Sequence, residues 1–254
     1  MSLLSFPNRA IHHFRTHTRL GAWGASAWHR YMLPLPITKK FYGIKICLNL
    51  RDGLYWLSTN PVDVEQNDHF TEMLAGVKGP VWDVGCNVGV FSLMAAAKGF
   101  KVVAFDISPV AIDLVQRSAK LNKLNVETVC HAFSVTPYTY VPPHDADTRN
   151  APDQKGGGTS VESMTFSEAQ KKFGLPAFLK VDIEHHEVAL LKSVEFKNWI
   201  KTNNIALLVE LHSPDYMDLV WDEVEHCMFD DGHVLFNPTP EHKAACAARS
   251  RVVP

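Results

Sequence analysis

The stretch VWDVGCNVGVFS, residues 81–92, decides how this chain folds. Its first four residues predict a short buried strand, and a turn with two glycines then leads into a helix that runs toward Lys98. A glycine turn at the carboxyl end of a strand places backbone N–H groups and a helix N-terminus over the mouth of a parallel sheet. The stretch therefore predicts an α/β sheet with a ligand crevice at this turn.

The spacing of the turn indicates which ligand the crevice suits. Dinucleotide sites use G-x-G-x-x-G, because the backbone must pass close to a pyrophosphate, whereas residues 83–89 have the pattern D-x-G-x-N-x-G. A carboxylate at the head of the turn repels phosphates but suits a ligand that carries a cationic amino acid. S-adenosylmethionine is such a ligand, with an ammonium group, a sulfonium group and no phosphate. We therefore expect four residues of the turn to bind it: Asp83, Gly85, Asn87 and Gly89.

A second apolar strand, residues 101–106, ends in a carboxylate, Asp106. An acid at this point of a nucleotide-binding fold accepts hydrogen bonds from ribose hydroxyls. A helix-start signal follows, and residues 126–130 predict a third strand, after which Phe133 is expected either near the adenine or in the core. The order of strand, turn, helix, strand, acid and helix predicts a Rossmann-like, doubly wound, mainly parallel sheet, with an N-terminal helical or hairpin extension.

Length and composition fit one such domain. With 254 residues, 46% of them apolar, the chain can bury the core of a single α/β domain. We assign residues 1–40 to an N-terminal arm and 41–254 to the domain, with a hairpin and helix over 41–79 and the Rossmann-like core over 80–240. The sequence has no uninterrupted apolar run of about 18 residues, so no membrane span is expected. Five scattered cysteines without a C-x-x-C pair predict neither disulfides nor a zinc site and favour a cytoplasmic protein.

The regions on either side of the core have weaker patterns. Alternating apolar residues over 44–50, a D-G turn at 52–53 and the run 54–57 predict a hairpin. A helix is expected over 70–77.

At the carboxyl end, apolar spacing predicts a helix over 216–228 and a strand over 233–236. After Pro240 the sequence is rich in alanine, so the last strand of the sheet is expected to be weak or missing.

The N-terminal arm is basic. Residues 1–51 contain eight Lys or Arg and no Asp or Glu, with several histidines and tryptophans among them. Such a segment suits an anionic membrane surface, an anionic acceptor or nucleic acid, or a docking contact within a homo-oligomer. An exposed helix packed by its tryptophans fits equally well.

A second group of polar residues follows two further strands. The stretch FLKVDIEHHE, residues 178–187, is an apolar strand followed by ionisable side chains, and the strand over 205–211 precedes another histidine. Because the carboxyl ends of neighbouring parallel strands line the ligand crevice, we expect an acid and imidazole cluster beside the methyl donor. Its members are Asp182, Glu184, His185, His186, Glu187, Glu210 and His212. Neighbouring residues of a helix point apart, so His185 and His186 cannot both face the pocket.

At these stretches the chain resembles the FkbM-type S-adenosylmethionine-dependent methyltransferases. The shared features are the D-x-G-x-N-x-G turn, the strand to Asp106, the pair Leu121-Asn122 and K-V-D-I-E-x-x-E over 180–187. The resemblance spans about residues 80–211 and implies O-methylation of a hydroxyl on a sugar, a glycan or a natural product. That family usually has glycine where this chain has His185, which puts the shape of the acceptor side in question.

The chemistry of methyl transfer requires alignment and a base. Holding the acceptor in line with the S–CH₃ bond can supply about 7–11 kcal/mol of the barrier, and a base within reach of the hydroxyl adds roughly 100- to 10,000-fold. Asp182 and His212 are the first candidates for the base, and His186 is the next; Glu184, His185, Glu187 and Glu210 are expected on the acceptor side. A metal ion is conceivable, but no H-E-x-x-H or similar spacing occurs, so metal-free catalysis is favoured.

Two other functions remain open at this stage. An NAD-dependent oxidoreductase would use the same fold, but the missing third glycine and Asp83 argue against it. A methyltransferase-like scaffold without catalytic activity is the other, and methylation of RNA is a lesser variant that the basic arm permits.

Overall fold

The computed structural model describes residues 36–49, 70–140, 160–212, 214–229 and 232–249. Its strands are β1 (Pro36–Phe41), β2 (Ile44–Asn49), β3 (Val81–Val84), β4 (Val102–Asp106), β5 (Val126–Cys130), β6 (Ala132–Ser134), β7 (Thr139–Tyr140), β8 (Val161–Thr165), β9 (Phe178–Val181), β10 (Ala206–Glu210), β11 (His226–Met228) and β12 (His233–Phe236). Its α-helices are α1 (Phe70–Met73), α2 (Val90–Ala97), α3 (Pro109–Asn122), α4 (Phe166–Phe173), α5 (Glu187–Lys192), α6 (Val194–Thr202) and α7 (Pro240–Arg249), and a 3₁₀ helix spans Pro214–Leu219. None of the helices in these ranges is long and apolar enough to cross a membrane.

Seven strands form the central sheet in the order β11-β12-β10-β9-β3-β4-β5. The strands from β10 to β5 run parallel, whereas β12 and β11 are antiparallel to their neighbours. After β3 the chain first builds outward through β4 and β5, and later returns to the other side of β3 with β9 and β10. This reversal between β3 and β9 is the point at which an open α/β sheet forms its ligand crevice. The predicted doubly wound, mainly parallel sheet is therefore confirmed.

The central strands are buried on both faces, as expected for a parallel sheet covered by helices. Trp82 of β3 is fully buried, and four aromatic rings lie with their centroids 5.6–6.4 Å from it: Phe105, Phe133, Phe173 and Trp199. Such tilted and edge-to-face pairs stabilise a core beyond the area they bury. This aromatic core fixes the position of the turn that follows β3.

Three strands that follow β5 in the chain, β6, β8 and β7, form a small second sheet. The irregular sequence over 138–160 predicts a long loop, but residues 139–140 form β7, and β8 begins directly after this segment. Residues 141–159, which include the triple glycine, lie outside the described residues.

The N-terminal hairpin pairs β1 with β2 around a turn at Tyr42 and Gly43. The sequence instead predicts a hairpin between 44–50 and 54–57, and residues 50–69 lie outside the described residues. The pair β1–β2 also spans the proposed boundary at residue 40. The described part of α1 ends at Met73, four residues before the expected end.

Asn122 attaches β2 to α3. Its Oδ1 accepts a hydrogen bond from the Lys45 backbone N–H at 3.0 Å, and its Nδ2 donates to the Lys45 carbonyl at 2.6 Å and to the Ser118 carbonyl at 2.7 Å. The Cys47 N–H donates to the Ser118 hydroxyl at 2.8 Å. The asparagine of the Leu121-Asn122 pair therefore holds the hairpin on the sheet's helical layer.

The predicted helix over 216–228 is wrong. The chain there forms the end of the 3₁₀ helix, two turns and then β11. Trp221 and Val224 are buried, and the Trp221 indole donates to the Leu191 carbonyl, whereas Met228 is 52% exposed. The apolar residues therefore do not share one helical face.

As expected, the described residues after Pro240 form no strand, and the seventh strand of the sheet comes from an earlier part of the chain. It is β11, which precedes β12 in the chain and pairs with it as a hairpin. The alanine-rich segment from Pro240 onward forms α7, whose His242 donates a hydrogen bond from Nε2 to the Met73 carbonyl at 2.8 Å.

Candidate functional site

A cleft of about 740 Å³, measured to its open mouth, lies at the carboxyl ends of β3, β4 and β9. The lining residues come from the turn after β3, the ends of four strands and β7: Val84, Gly85, Asn87, Phe105, Asp106, Ile107, His131, Ala132, Phe133, Tyr138, Tyr140, Asp182, Ile183, Glu184 and His186. The cleft is therefore where the sheet reverses and where the sequence predicts the ligand.

The two glycines of the turn are required by close backbone packing. Gly85 has φ +79°, and a Cβ placed on it would lie 1.8 Å from the Asp182 carbonyl oxygen. Gly89 has φ +81°, and its Cβ would lie 2.7 Å from Val115 Cγ2. Gly85 lines the cleft, whereas Gly89 lies under it, where the start of α2 packs on α3.

Asp106 holds the rim of the cleft together. Its Oδ2 accepts a hydrogen bond from the Asn87 backbone N–H and its Oδ1 from the Ser108 N–H, each at 2.8 Å. Burial raises the pKa of this carboxyl to about 6, although the two N–H groups oppose the shift. Each carboxylate oxygen can accept a second hydrogen bond from a ligand, as predicted for a ribose-binding acid.

Asp83 lies below the cleft and is not among its lining residues. It is 1% exposed and accepts a hydrogen bond from the Ser92 hydroxyl at 2.5 Å. Its other oxygen is 4.0 Å from Lys180 Nζ, in the next strand, and burial raises the pKa of Asp83. The structure thus gives Asp83 protein partners below the cleft, and its predicted contact with the donor stays a prediction.

Lys180 is a site residue that the sequence-based list omits. Its ammonium group is buried in the sheet and lies 2.9 Å from Asp182 Oδ2. Burial alone would lower the pKa of Lys180, but Asp182 and Asp83 outweigh it and raise the pKa above its usual value. The sequence feature that could have indicated Lys180 is a single lysine within the otherwise apolar strand FLKV.

His212 is at the centre of the predicted acid and imidazole cluster. Its Nδ1 is 2.9 Å from Glu187 Oε1. Its Nε2 faces three further carboxylates: Asp182 Oδ1 at 3.5 Å, Glu184 Oε2 at 3.6 Å and Glu210 Oε1 at 3.9 Å. The hydrogen bonds with Asp182 and Glu187 raise the pKa of His212 to about 10. The ends of β9 and β10 therefore meet as predicted.

The other members of the cluster take different positions. Glu187 is fully buried and lies behind His212, outside the cleft lining. Burial would raise the pKa of Asp182, but Lys180 and His212 outweigh it and lower the pKa. Burial raises the pKa of Glu210, whose Oε2 is 3.7 Å from His233 Nε2.

The two neighbouring histidines lie in the turn before α5, not in a helix, and they take different positions. His186 lines the cleft, where its ring lies edge-to-face with Tyr140 at 5.7 Å between centroids. Burial lowers the pKa of His186, so its imidazole is neutral at pH 7. His185 is exposed, with φ +76°, and its ring is 5.7 Å from the ring of His212.

The base of the cleft next to β5 is aromatic. Phe133 is 5% exposed and packs on Phe105 at 5.4 Å, so it belongs both to the core and to the cleft lining. His131, Tyr138 and Tyr140 also line the cleft, and the sequence-based list omits them. His131 directly follows β5, just as Asp106 stands at the end of β4. This position at the carboxyl end of a strand is the sequence feature that could have indicated His131 as a site residue.

Comparison with known proteins gives one family match. Residues 81–146, from β3 to beyond β7, match the model of a methyltransferase domain. None of the curated proteins matches this chain.

Three solved structures show the range of similar folds. The tRNA (uracil-54, C5)-methyltransferase of Pyrococcus abyssi, in complex with S-adenosyl-L-homocysteine, is 14% identical with a TM-score of 0.44, over 79% of this chain and 43% of its own. An S-adenosylmethionine-dependent methyltransferase from Agrobacterium tumefaciens is 13% identical with a TM-score of 0.44, over 74% of this chain and 57% of its own. A 16S rRNA N2 methyltransferase from T. thermophilus, in complex with AdoMet and guanosine, is 12% identical with a TM-score of 0.45, over 79% of this chain and 49% of its own.

This chain thus spans about half the length of those three structures. The family match covers the glycine turn, the strand to Asp106 and the cleft wall up to Tyr140. The match supports a methyltransferase, and it falls on the half of the cleft that the sequence assigns to the methyl donor.

Proposed function

We propose that this chain is an S-adenosylmethionine-dependent O-methyltransferase of the FkbM type, acting on a hydroxyl group of a sugar, a glycan or a natural product. The observation that carries the proposal is one cleft with two kinds of wall. One wall is the glycine turn with Asp106, and the other is formed by Asp182, Glu184 and His186, which follow β9.

The first wall suits the nucleoside of the donor. In this proposal Asp106 accepts hydrogen bonds from the ribose hydroxyls, and the adenine lies against Ile107, His131 and Phe133. The methionine part follows the turn past Gly85, whose missing side chain lets the Asp182 carbonyl pack against the turn. The sulfonium cation then points toward the carboxylates of the second wall, whose charge is favourable for a cation.

The second wall suits the acceptor. Transfer breaks the methyl C–S bond, with its electron pair going to sulfur, and forms a bond from the acceptor oxygen to the methyl carbon. The hydroxyl proton needs a base within hydrogen-bond reach. Of the three candidates for the base, His212 and Asp182 are already paired with each other. His186, in contrast, faces the cleft, and its lowered pKa favours the neutral imidazole. We therefore assign the proton acceptor to His186.

The charge of the cleft bears on the class of acceptor. Asp182 and Glu184 line it, and phosphodiesters would be repelled at this wall. A neutral polyhydroxyl compound meets no such penalty and can donate hydrogen bonds to both carboxylates. This favours a sugar or a natural-product hydroxyl over RNA.

Calorimetric titration of the purified chain with S-adenosylhomocysteine and with NADH tests the donor site. We expect micromolar affinity for S-adenosylhomocysteine, none for NADH, and a loss of about tenfold or more in Asp106→Ala, since one charge-assisted hydrogen bond contributes about 1.5–3 kcal/mol. Asp113→Ala, which removes an exposed carboxylate of α3 paired with Arg117, is the matched control and should bind normally.

The outcome also separates the alternatives. Tight NADH binding would favour an oxidoreductase, and the absence of binding to either compound by a folded protein would favour a scaffold without catalytic activity. With donor binding established, sugars and natural products are screened with methyl-labelled S-adenosylmethionine. His186→Gln should then keep S-adenosylhomocysteine binding and lose roughly 100-fold or more of the methyl transfer.

A further inference from the structure

We propose that Asp182, Glu210 and His212 bind one divalent transition-metal ion at the carboxyl ends of β9 and β10. Each of these residues offers a ligand atom, and the atoms lie within 4.8 Å of one another. All three are half-buried, so they are accessible to an ion and to part of its water shell. The site differs from the metal-free arrangement that the sequence favours.

The distances fit metal coordination. His212 Nε2 is 3.5 Å from Asp182 Oδ1 and 3.9 Å from Glu210 Oε1. With bonds of about 2.2 Å to an ion between them, these separations correspond to ligand–metal–ligand angles of roughly 105–125°. Such angles are compatible with tetrahedral or distorted five-coordinate geometry, with water or a substrate oxygen in the open positions.

Two of the proposed ligands, Asp182 and His212, are held from behind by a second group, which is the arrangement that orients ligands in metal sites. Asp182 accepts from Lys180 at Oδ2, 2.9 Å away, and turns Oδ1 toward His212. Glu210 has Oε2 at 3.7 Å from His233 Nε2 and turns Oε1 toward His212.

The imidazole is oriented in the same way. Fully buried Glu187 places Oε1 2.9 Å from His212 Nδ1 and 3.4 Å from the His212 backbone N–H. Within the described ranges, Glu187 Oε2 has no hydrogen-bond partner. The hydrogen bonds of this buried carboxylate are therefore those that Oε1 makes with His212. Ligating histidines typically donate their second ring N–H to a carboxylate, which directs the other nitrogen to the metal. In this arrangement Nε2 faces the two carboxylate oxygens.

The donor set selects the kind of ion. One imidazole nitrogen and two carboxylate oxygens suit Mn²⁺, Fe²⁺, Co²⁺ or Zn²⁺ better than the all-oxygen sites of Mg²⁺ or Ca²⁺. Glu184, with Oε2 3.6 Å from His212 Nε2, adds negative charge beside the site. The carboxylates outnumber the buried Lys180 cation, which favours a divalent cation that would displace the proton from His212 Nε2.

The role of the ion rests on the proposed function. Asp182 also lines the donor cleft, so the ion would lie at the border between donor and acceptor. A bound divalent cation orients an acceptor hydroxyl and lowers its pKa. The oxygen then attacks the methyl carbon, the C–S electron pair goes to sulfur, and the hydroxyl proton goes to His186.

The test is a binding measurement that does not need the acceptor. Chelator-treated and dialysed protein is titrated with Mn²⁺ and followed by the electron paramagnetic resonance of the free ion, and with Zn²⁺ by calorimetry. We expect one saturable site per chain. Glu210→Gln should weaken binding at least about tenfold, and Glu187→Gln, which alters the group behind His212, by roughly 10- to 100-fold.

Matched controls keep the result interpretable. Glu223→Gln changes an exposed carboxylate that pairs with Lys197 and should leave ion binding unchanged. Thermal unfolding of each variant shows whether it is folded, and Glu210, at the surface edge of the cluster, can change without unfolding the chain.

Three results would overturn the proposal. They are no saturable binding of Mn²⁺ or Zn²⁺ up to millimolar concentration, binding that survives Glu210→Gln unchanged, and binding that Glu223→Gln weakens as much. S-adenosylhomocysteine is titrated into the same samples. Its binding without an ion site would overturn only the metal proposal, whereas ion binding without nucleoside binding would overturn only the proposed methyltransferase function.

Discussion

Replacing Gly85 by alanine tests the contact that joins the two walls of the cleft. The new Cβ would lie 1.8 Å from the Asp182 carbonyl oxygen, and Gly85 has φ +79°. A side chain in the left-handed region costs about 1–2 kcal/mol, and the lower entropy of the unfolded chain returns about 0.4–1 kcal/mol. Separating two backbone segments by more than an ångström adds a further cost of about 1–3 kcal/mol. We therefore expect Gly85→Ala to lower the free energy of unfolding by about 3 kcal/mol.

Gly99→Ala is the matched control. Gly99 has φ +91°, but nothing lies within 4 Å of its added Cβ. Its cost should therefore be that of the backbone conformation alone, about 1 kcal/mol or less after the entropy of the unfolded chain is counted. Urea unfolding of both variants, followed by tryptophan fluorescence, measures the difference.

The difference between the two variants is the steric part of the Gly85 effect. If both lose the same free energy of unfolding, the contact with Asp182 does not matter and the left-handed backbone alone requires glycine. The new Cβ would displace the segment of Asp182, whose side chain lies between the cleft and His212. Gly85→Ala should therefore also weaken binding of S-adenosylhomocysteine, whereas Gly99→Ala should not.

Three further results are expected. Affinity for S-adenosylhomocysteine should fall about tenfold between pH 7 and pH 5. The reason is that the Asp106 carboxyl, with a pKa raised to about 6, is ionised above that value and protonated below it. Calorimetry of the Asp106→Asn variant should show no such dependence on pH. Lys180→Met should lower the free energy of unfolding at pH 7 by about 3–5 kcal/mol, since it leaves the carboxylates of Asp83 and Asp182 without their buried cation; urea unfolding that shows a loss below 1 kcal/mol would contradict that pairing. Asn122→Ala, which removes two hydrogen bonds between β2 and α3 and one within α3, should cost about 1–3 kcal/mol in the same assay, and a neutral effect would mean that the hairpin is held by its apolar contacts alone.

The sequence predicts the parts of the fold that depend on patterns within a short stretch of residues. The turn over 83–89 and the acid at Asp106 are each specified by a glycine spacing or a strand end. Parallel strands are buried on both faces, so β3, β4 and β9 appear as short apolar runs. The position of each run's carboxyl end then places the polar residues that follow it at one edge of the sheet.

What the sequence does not predict depends on contacts between distant segments. Asp83 and Lys180 are opposite each other in the register of β3 and β9, and only that register shows that Asp83 is buried beneath the cleft. Glu187 likewise appears as an ordinary acid of a first helical turn, although it is fully buried against His212. The failed helix over 216–228 has the same cause, since the pairing of β11 with β12 overrides a helical spacing of apolar residues.

Asp182 has one carboxylate shared between the cleft and the group around His212. Two ligands that meet at one charged group are thermodynamically linked, and each changes the affinity of the other by the same factor. S-adenosylmethionine carries a positive charge on sulfur, and S-adenosylhomocysteine does not. A cation held at Asp182, Glu210 and His212 would therefore weaken binding of the charged donor more than that of the neutral product. By reciprocity, the donor would loosen the cation and the product would not, so the two nucleosides are expected to differ in their response to Mn²⁺.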